Sequence, residues 1–435
     1  MKKIFLSTIA LLFFGQVFGQ LNRAKLDSLF DQLEANNKWM GSAALSKDGN
    51  PIYSRTVGLA DEGKRAGASS NYRIGSITKM FVATLTVLAI EEKKLAFEDK
   101  LAKYFPSVAN ADQITISHLL NHHSGIANFT NSPTYLSWRT EKKTHKEILG
   151  IISANPSDFE PGSKAAYSNS NYVLLGYILE KLYDKPLQKI VAEKITKPLG
   201  LKQTYIGEAI DVARDEVNSY FYLNGWQKQP ETDLSIAAGA GAMVSNPIDL
   251  NRFITALFSG KLVSMASLAK MKALQDQYGY GMRQFAFDKK IGYGHNGGID
   301  GFSSMLYLLP EDGLSVAITS NGNAYDNNKI LIALFNAYYG KPFTVPDFKL
   351  MSLRPEDLDQ YLGVYSAPNF PLKITISKKS NVMVTQATGQ SPITMEATAK
   401  DRFEYSPAGI VLDFKPAEKQ LILSQGGGRY VLTKE

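Results

Sequence analysis

The segment Gly75-Ser76-Ile77-Thr78-Lys79-Met80 opens an apolar run that continues to Ile90 and then meets charged residues. This pattern predicts a helix that is apolar on nearly all sides, with Ser76 in its first turn and Lys79 on the same face. Backbone N–H groups at the start of a helix favour a developing negative charge. The same potential, together with burial, favours the neutral form of Lys79, which can then accept a proton. The segment therefore predicts a reactive serine beside a lysine base.

The Ser-x-x-Lys spacing is not unique to this segment. Ser267 and Lys270 share it in what reads as an ordinary amphipathic helix. Taken alone, the spacing leaves open a helix-capping serine beside a solvated lysine. The context along the chain therefore has to decide between these two interpretations.

Two later segments supply that context. Tyr167-Ser168-Asn169 can bring a phenol and an amide to one site from a tight loop, although the Tyr-x-Asn pattern recurs twice in the chain. Gly294-His295-Asn296-Gly297-Gly298 stands just before a predicted strand, where glycines let a substrate approach the backbone. Each pattern is weak by itself, and the inference depends on their combination and order.

In this order, the three segments resemble those of the serine β-lactamase and penicillin-binding protein superfamily. The likeness is to the branch that holds class C β-lactamases, D-alanyl-D-alanine carboxypeptidases, D-aminopeptidases and related esterases, and it covers about residues 22 to 340. The resemblance implies an α+β fold of the β-lactamase/transpeptidase type, with an antiparallel sheet and a large helical subdomain. It also implies two-step acyl transfer through an ester on a serine.

The resemblance assigns the catalytic roles to three side chains. Ser76 is expected to be the acylated nucleophile, Lys79 its partner in proton transfer, and Tyr167 the second acid/base. Asn169 is expected to orient Lys79 and the amide of the substrate. Which of Lys79 and Tyr167 acts as the general base stays open.

The third segment is expected to bind substrate through His295, Asn296 and Gly297, with the backbone N–H groups of Ser76 and Gly298 forming an oxyanion hole. Most β-lactamases carry Lys-Thr-Gly or Lys-Ser-Gly here, whereas an unperturbed histidine is mostly neutral at pH 7. We therefore expect weaker recognition of a substrate carboxylate and less efficient β-lactam hydrolysis. The amide of Asn296 can still donate a hydrogen bond.

The remaining pattern fits a domain with both chain ends in one sheet. A hairpin is predicted from Trp39 to Ala60, helical periodicity dominates residues 76–270, and strands return from Ile291, followed by a helix over about 328–339. Beyond three prolines in residues 341–355, short alternating runs predict a small antiparallel β-barrel-like domain, or a sandwich. The expected boundaries are 1–19 for a signal peptide, 20–343 for the hydrolase domain and 353–435 for the C-terminal β domain.

Composition excludes several other classes of protein. The 435 residues include no cysteine, which excludes thiol nucleophiles, disulfides, iron–sulfur clusters and cysteine-based zinc sites. The net charge of +7 is scattered, so we expect no nucleic-acid partner. His118 and His122 have a metal-like spacing without a following glutamate motif, and a structural role is favoured. The Gly-x-Gly-x-x-Gly pattern at Gly292 precedes a strand rather than a helix. No metal or organic cofactor is expected.

The N-terminal residues resemble a secretory signal. Lys2 and Lys3 precede an apolar run from Ile4 to Phe14, and cleavage is expected after about Gly19. An uncleaved N-terminal anchor is the alternative. We expect an exported, periplasmic or secreted serine hydrolase with no stable membrane span after cleavage, acting on a small-molecule or peptide substrate such as a cell-wall peptide. A penicillin-binding sensor, a noncatalytic binding protein and a β-lactamase are the alternatives.

Overall fold

An eight-stranded sheet joins the early and the late part of the chain. The computed structural model describes residues 21–222, 225–348, 351–390, 392–426 and 428–435, so the predicted signal peptide lies outside the described residues. Six strands pair antiparallel in the order Arg283–Phe287, Lys290–Ile299, Phe302–Leu309, Leu314–Asn323, Trp39–Lys47 and Asn50–Val57. Strand Tyr220–Tyr222 adds parallel to Leu314–Asn323 and pairs with Trp226–Lys228. The predicted N-terminal hairpin is confirmed, with Ala43 opposite Arg55.

Short strands complete the sheet structure of this part of the chain. Tyr72–Arg73 and Tyr205–Ile206 both pair antiparallel with Met243–Ser245. A further small ladder joins Leu59–Asp61 to Lys64–Arg65. The middle of the chain is thus not purely helical, and the three-stranded sheet fixes the backbone just before Ser76.

Helices cover both faces of the main sheet. One face carries Arg23–Ala35 and Asn327–Tyr338, whose apolar residues pack with the strands, and the ring centroids of Phe30 and Trp39 lie 5.4 Å apart. The helical subdomain packs against the other face of the sheet. Its helices are Thr78–Glu91, Ile116–Leu120, Tyr135–Trp138, His145–Ser153, Asn169–Tyr183, Leu187–Val191, Lys197–Leu199, Leu234–Gly241, Pro247–Phe258 and Met265–Lys272. A π-helical turn, Ala192–Thr196, joins two of these helices.

The helix after Ser76 is central to the larger core. Eleven of the fourteen residues of Thr78–Glu91 are buried, which confirms the prediction of a helix that is apolar on nearly all sides. Its start differs by two residues, because Ser76 lies in a tighter 3₁₀ turn, Gly75–Ile77, that leads into the helix. Other 3₁₀ turns are Leu101–Lys103, Phe129–Asn131, Val212–Arg214, Pro310–Asp312, Pro355–Tyr361, Ser406–Ala408 and Pro416–Glu418.

The C-terminal strands close into an antiparallel eight-stranded barrel. They are Gly363–Ala367, Phe370–Lys379, Val382–Ala387, Ile393–Ala399, Arg402–Tyr405, Ile410–Lys415, Gln420–Gln425 and Gly428–Lys434. The first and last strands pair, with Tyr365 opposite Lys434. The ring of Tyr361 packs inside, 5.1 Å from Phe403 and 4.8 Å from Phe414 between centroids. The α+β fold with a barrel-like C-terminal domain is therefore confirmed, whereas the exact boundaries at residues 343 and 353 stay predictions. In the described ranges, no helix is both long and apolar enough to cross a membrane.

Candidate active site

The turn that carries Ser76 is pressed against the strand of the third motif. Gly75 has a φ of +49°, and a Cβ atom there would lie 2.8 Å from the backbone nitrogen of Gly298. A Cβ atom at Gly297 would lie 2.0 Å from the carbonyl oxygen of Ile74. Only glycine fits both positions. The backbone around Gly298 therefore lies next to Ser76, as the resemblance implies for an oxyanion hole.

Lys79 is a completely buried lysine whose amine contacts only neutral groups. Its Nζ lies 2.9 Å from Ser76 Oγ, and it donates to Asn169 Oδ1 at 2.8 Å and to the carbonyl oxygen of Ala240 at 2.8 Å. Burial lowers the pKa of Lys79 well below its usual value, and the described residues show no ion pair with it. The structure thus places the buried amine of Lys79 in contact with the hydroxyl of Ser76.

Tyr167 approaches Ser76 from the other side. Its Oη donates to Ser76 Oγ at 2.7 Å. Burial raises the pKa of Tyr167 to about 12, partly opposed by the bond to Ser76 and the charge of Arg283. The side chain is therefore a phenol at neutral pH, and the Ser76 oxygen lies between a phenol and an amine.

Asn169 begins the helix Asn169–Tyr183, so its position follows from the helix start. Its Nδ2 donates to Thr130 Oγ1 at 3.0 Å, and its backbone N–H donates to Asn128 Oδ1 at 3.1 Å. These two contacts leave the amide oxygen directed at Lys79. Asn169 thus has the geometry of a positioning group for the lysine.

His295 is buried beside these groups rather than exposed to the cleft. Its ring centroid lies 6.3 Å from that of Tyr167, and Nδ1 is within hydrogen-bond reach of the carbonyl oxygen of Asn296. Burial lowers the pKa of His295 to about 3. The histidine is therefore neutral at pH 7. Asn296 is exposed on the same strand, and Gly297 is half-buried.

Residues 26–337 match the family described as Beta-lactamase. The chain belongs to the β-lactamase family. It is 24% identical to "Penicillin-binding protein 4*" of Bacillus subtilis, over 94% of this chain and 98% of that protein. It is 26% identical to the "D-alanyl-D-alanine-carboxypeptidase/endopeptidase AmpH" of Escherichia coli, over 68% and 77% of the two chains. The crystal structure of a D-amino acid amidase from Ochrobactrum anthropi superposes with a TM-score of 0.66 at 27% identity, covering 74% of this chain and 99% of the amidase. The protein is a serine hydrolase of the β-lactamase family.

This β-lactamase-family site also uses groups that no sequence motif indicated. The carbonyl oxygen of Ala240 binds Lys79, and a backbone atom carries no side-chain signal. Arg283 stacks on Tyr278 at 4.5 Å from the guanidinium carbon to the ring centroid and lies 5.8 Å from the ring of Tyr167. It faces the third motif because Arg283 pairs with Gly294 in the sheet. The described residues include no ion-pair partner of Arg283.

The ring of His122 packs among the aromatic side chains beside Ser76. Its ring packs 4.6 Å from Tyr167 and 5.4 Å from Tyr172, and Nδ1 accepts the backbone N–H of Ser168 at 3.2 Å. Burial lowers its pKa well below the usual value. Across the described segments, no group of three or more potential metal ligands is found. His122 instead supports the loop that delivers Tyr167.

A cleft of about 350 Å³ opens beside Ser76. Its lining includes Ser76, Asn169 and Gly298 of the predicted site, but not Lys79, Tyr167 or His295. The structure thus brings together Ser76, Lys79, Tyr167 and Asn169 by direct contact, with His295 packed beside Tyr167. Gly297 and Gly298 join them through the backbone, and no contact of the Asn296 side chain with the catalytic set is observed in the described chain.

Proposed function

We propose that the protein is an exported hydrolase that cleaves amide bonds after D-amino acid residues, through an acyl-enzyme ester on Ser76. The observation that carries this proposal is the pair of contacts at Ser76 Oγ, which is 2.9 Å from Lys79 Nζ and 2.7 Å from Tyr167 Oη. An oxygen between an amine and a phenol can lose a proton on one side and gain a hydrogen bond on the other.

The hydrogen-bond inventory supports a neutral lysine in the resting site. Tyr167 donates to Ser76 Oγ, so the hydroxyl proton of Ser76 is free to point at the lone pair of Lys79. The two remaining N–H bonds of a neutral amine then match two acceptors, Asn169 Oδ1 and the Ala240 carbonyl oxygen. A charged ammonium would leave the Ser76 proton without an acceptor in this set. Neutral Lys79 is therefore the base for acylation.

Acylation and deacylation follow with balanced protons. Ser76 Oγ attacks the carbonyl carbon while its proton passes to Lys79 Nζ, and the oxyanion accepts from the N–H groups of Ser76 and Gly298. The C–N bond breaks as the leaving nitrogen takes the proton of Tyr167, and Lys79 then passes the proton that it took from Ser76 to the Tyr167 phenolate. In deacylation, water attacks the ester carbonyl carbon while one of its protons passes to neutral Lys79, and the bond from carbon to Oγ then breaks as Lys79 gives that proton to Ser76 Oγ.

A free carboxylate on the leaving residue fits the charge distribution. His295 is neutral, so it supplies no positive charge to a carboxylate. Arg283 lies beside Tyr167, the residue that we expect to protonate the leaving nitrogen. In the described chain, Arg283 has no acidic partner. The names of the carboxypeptidase and amidase relatives support D-amino acid peptides and amides as the substrate class.

Intact-protein mass spectrometry tests the proposal. Wild type is exposed to a fluorescent penicillin, a small activated ester and a D-alanyl-D-alanine peptide, with a time course for each. We expect an adduct or turnover in wild type, and neither in Ser76→Ala. Ser267→Ala is the matched control, because Ser267 also stands three residues before a lysine, in the helix Met265–Lys272, and should behave as wild type.

The time course separates the alternatives. Turnover of the peptide or the ester supports a hydrolase, whereas a stable penicillin adduct without turnover supports a penicillin-binding sensor. Equal reaction in Ser76→Ala would refute the acyl-enzyme assignment. Export is tested separately by the mass of the protein recovered from the cell envelope or medium, which should correspond to cleavage after about Gly19.

A further inference from the structure

Of the charged side chains that line the cleft beside Ser76, the positive one is partly exposed and the negative one is buried. Much of its wall is apolar or aromatic, with Phe129, Tyr135 and Phe221 among its residues. Its two charged lining residues are Arg139 and Asp300, whose side chains are 14% and 0% exposed. Because the side chain of Asp300 is fully covered and that of Arg139 is partly exposed, a ligand in the cleft can reach the positive side chain but not the negative one.

Arg139 is held in place by one of its terminal nitrogens. Nη1 contacts the carboxylate of Asp300 and donates to Thr232 Oγ1 at 2.7 Å and to the carbonyl oxygen of Pro230 at 3.3 Å. Nε and Nη2 make no hydrogen bond to any other described residue. These two nitrogens form the side-on edge of a guanidinium, which binds a carboxylate through two parallel hydrogen bonds.

Asp300 holds Arg139 in place and leaves Nε and Nη2 of the arginine available for a ligand. Its carboxylate also accepts the backbone N–H of Thr232 at 3.1 Å and the Thr232 hydroxyl at 2.6 Å. It forms a second ion pair with Arg73, at 3.3 Å, and Arg73 in turn pairs with Glu231 at 2.8 Å. Arg139 is therefore rigid before a ligand binds, so little side-chain entropy is lost on binding.

The cleft lies on the acyl side of the site. Thr130 and Asn169 line it together with Ser76 and Gly298, whereas Tyr167, His295 and Arg283 do not. Since the proposed mechanism assigns protonation of the leaving nitrogen to Tyr167, the leaving residue occupies the other side. A side chain of the acylating residue then extends into the cleft that contains Arg139.

We propose that Arg139 is a specificity-determining residue that binds a carboxylate on the acyl part of the substrate, so that acidic D-residues are favoured in that position. This inference rests on the proposed function and adds a subsite to it. It is distinct from Arg283, which faces a carboxylate on the leaving residue.

Matched substrates isolate this subsite. The p-nitroanilides of D-glutamate and D-aspartate are compared with those of D-glutamine and D-asparagine, which have the same shape without the charge. None carries a carboxylate on the leaving group, so Arg283 is not probed. We expect wild type to favour the acidic member of at least one pair by roughly 10- to 100-fold in kcat/KM, mainly through KM, because hydrogen bonds to charged groups have this strength.

Variants assign the preference to the arginine. Arg139→Gln should remove the preference, so that the acidic and the neutral member of each pair have equal kcat/KM, and Arg139→Lys should retain part of it because it keeps the charge but loses the side-on edge. Lys142→Gln is the control, since Lys142 is an exposed cation nearby in the sequence that is absent from the cleft lining. It should keep the full preference.

Each outcome bears on the subsite. Equal rates for both members of every pair in wild type, or an unchanged preference in Arg139→Gln, would overturn it while leaving the hydrolase proposal intact. No hydrolysis of any p-nitroanilide or D-alanyl-D-alanine peptide would refute the proposed function and the subsite together. Should Arg139→Gln fail to fold, wild type alone still decides: free D-glutamate should inhibit roughly tenfold more tightly than D-glutamine, and equal inhibition would refute the subsite.

Discussion

Replacing Lys79 with methionine should abolish turnover and, at pH 7, make the protein more stable. Burial lowers the pKa of Lys79 well below 10.5, so unfolding at neutral pH releases a neutral amine that immediately gains a proton from solvent. At 1.36 kcal/mol per pH unit, this protonation favours the unfolded state by at most about 5 kcal/mol at pH 7. Methionine occupies a similar volume without this cost.

The opposing effect comes from lost hydrogen bonds. Without the amine, Asn169 Oδ1 and the Ala240 carbonyl oxygen lose a donor, at about 1 kcal/mol each. The expected net gain for Lys79→Met at pH 7 is therefore up to about 3 kcal/mol. A group with a lowered pKa in the folded state destabilises most at low pH, and the effect disappears as the pH rises to 10.5. The advantage of the variant should thus shrink with increasing pH and reverse at about pH 9, where the protonation effect has fallen to about 2 kcal/mol.

Urea unfolding between pH 7 and 10.5 measures this difference. The three tryptophans, Trp39, Trp138 and Trp226, all precede the C-terminal barrel, so their fluorescence reports on the catalytic part of the chain. Lys142→Met, at an exposed lysine, is the control and should show no pH-dependent difference from wild type. A Lys79→Met variant that is less stable than wild type at pH 7, or a stability difference independent of pH, would refute a neutral buried lysine.

Three further changes test other parts of the site. Arg283→Gln should raise KM about tenfold for a D-alanyl-D-alanine peptide but not for its C-terminal amide, because only the free peptide offers a carboxylate; equal effects in steady-state assays would contradict this role. Since burial lowers the pKa of His295 to about 3, its ring proton, assigned in NMR spectra with His295→Gln, should show no titration from pH 5 to 8; a midpoint near 6.5 would disprove the burial argument. Gly75→Ala should reduce kcat by about 10²- to 10³-fold, as loss of an oxyanion contact does, because its Cβ atom would meet the Gly298 nitrogen at 2.8 Å. Gly67→Ala, with open space around it, should keep wild-type kcat.

Local spacing made part of the site predictable. Ser76 and Lys79 are three residues apart at the start of an apolar helix, so their contact follows from helix geometry and their order in the sequence. Tyr167 and Gly298 could be assigned only through the ordered resemblance to a family. No local rule brings residues 91 positions apart, such as Ser76 and Tyr167, to 2.7 Å.

Other features of the site and the fold could not be predicted from the sequence, for physical reasons. Arg283 reaches the site because strand register sets it opposite Gly294, and that register is a property of the folded sheet. The strands Tyr72–Arg73 and Tyr205–Ile206 have two residues each, which is too short for an alternating pattern. The short alternating runs after residue 363, in contrast, predicted a barrel-like domain or a sandwich, because strands such as Phe370–Lys379 alternate between buried and exposed residues.

The chemistry of Lys79 depends on which groups are kept away from it. Its three partners are a hydroxyl, an amide oxygen and a backbone carbonyl, and all are neutral. An acidic side chain at the position of Asn169 would have nearly the same shape but would pair with a protonated lysine and raise its pKa. The amide therefore orients the amine without charging it. Keeping Lys79 neutral at pH 7 costs free energy. The surrounding apolar core, in which Met80, Phe81 and Val82 are completely buried, maintains this state because it excludes water and counter-ions. The folded state thus keeps the Lys79 amine neutral, whereas the unfolded chain would hold it as a cation.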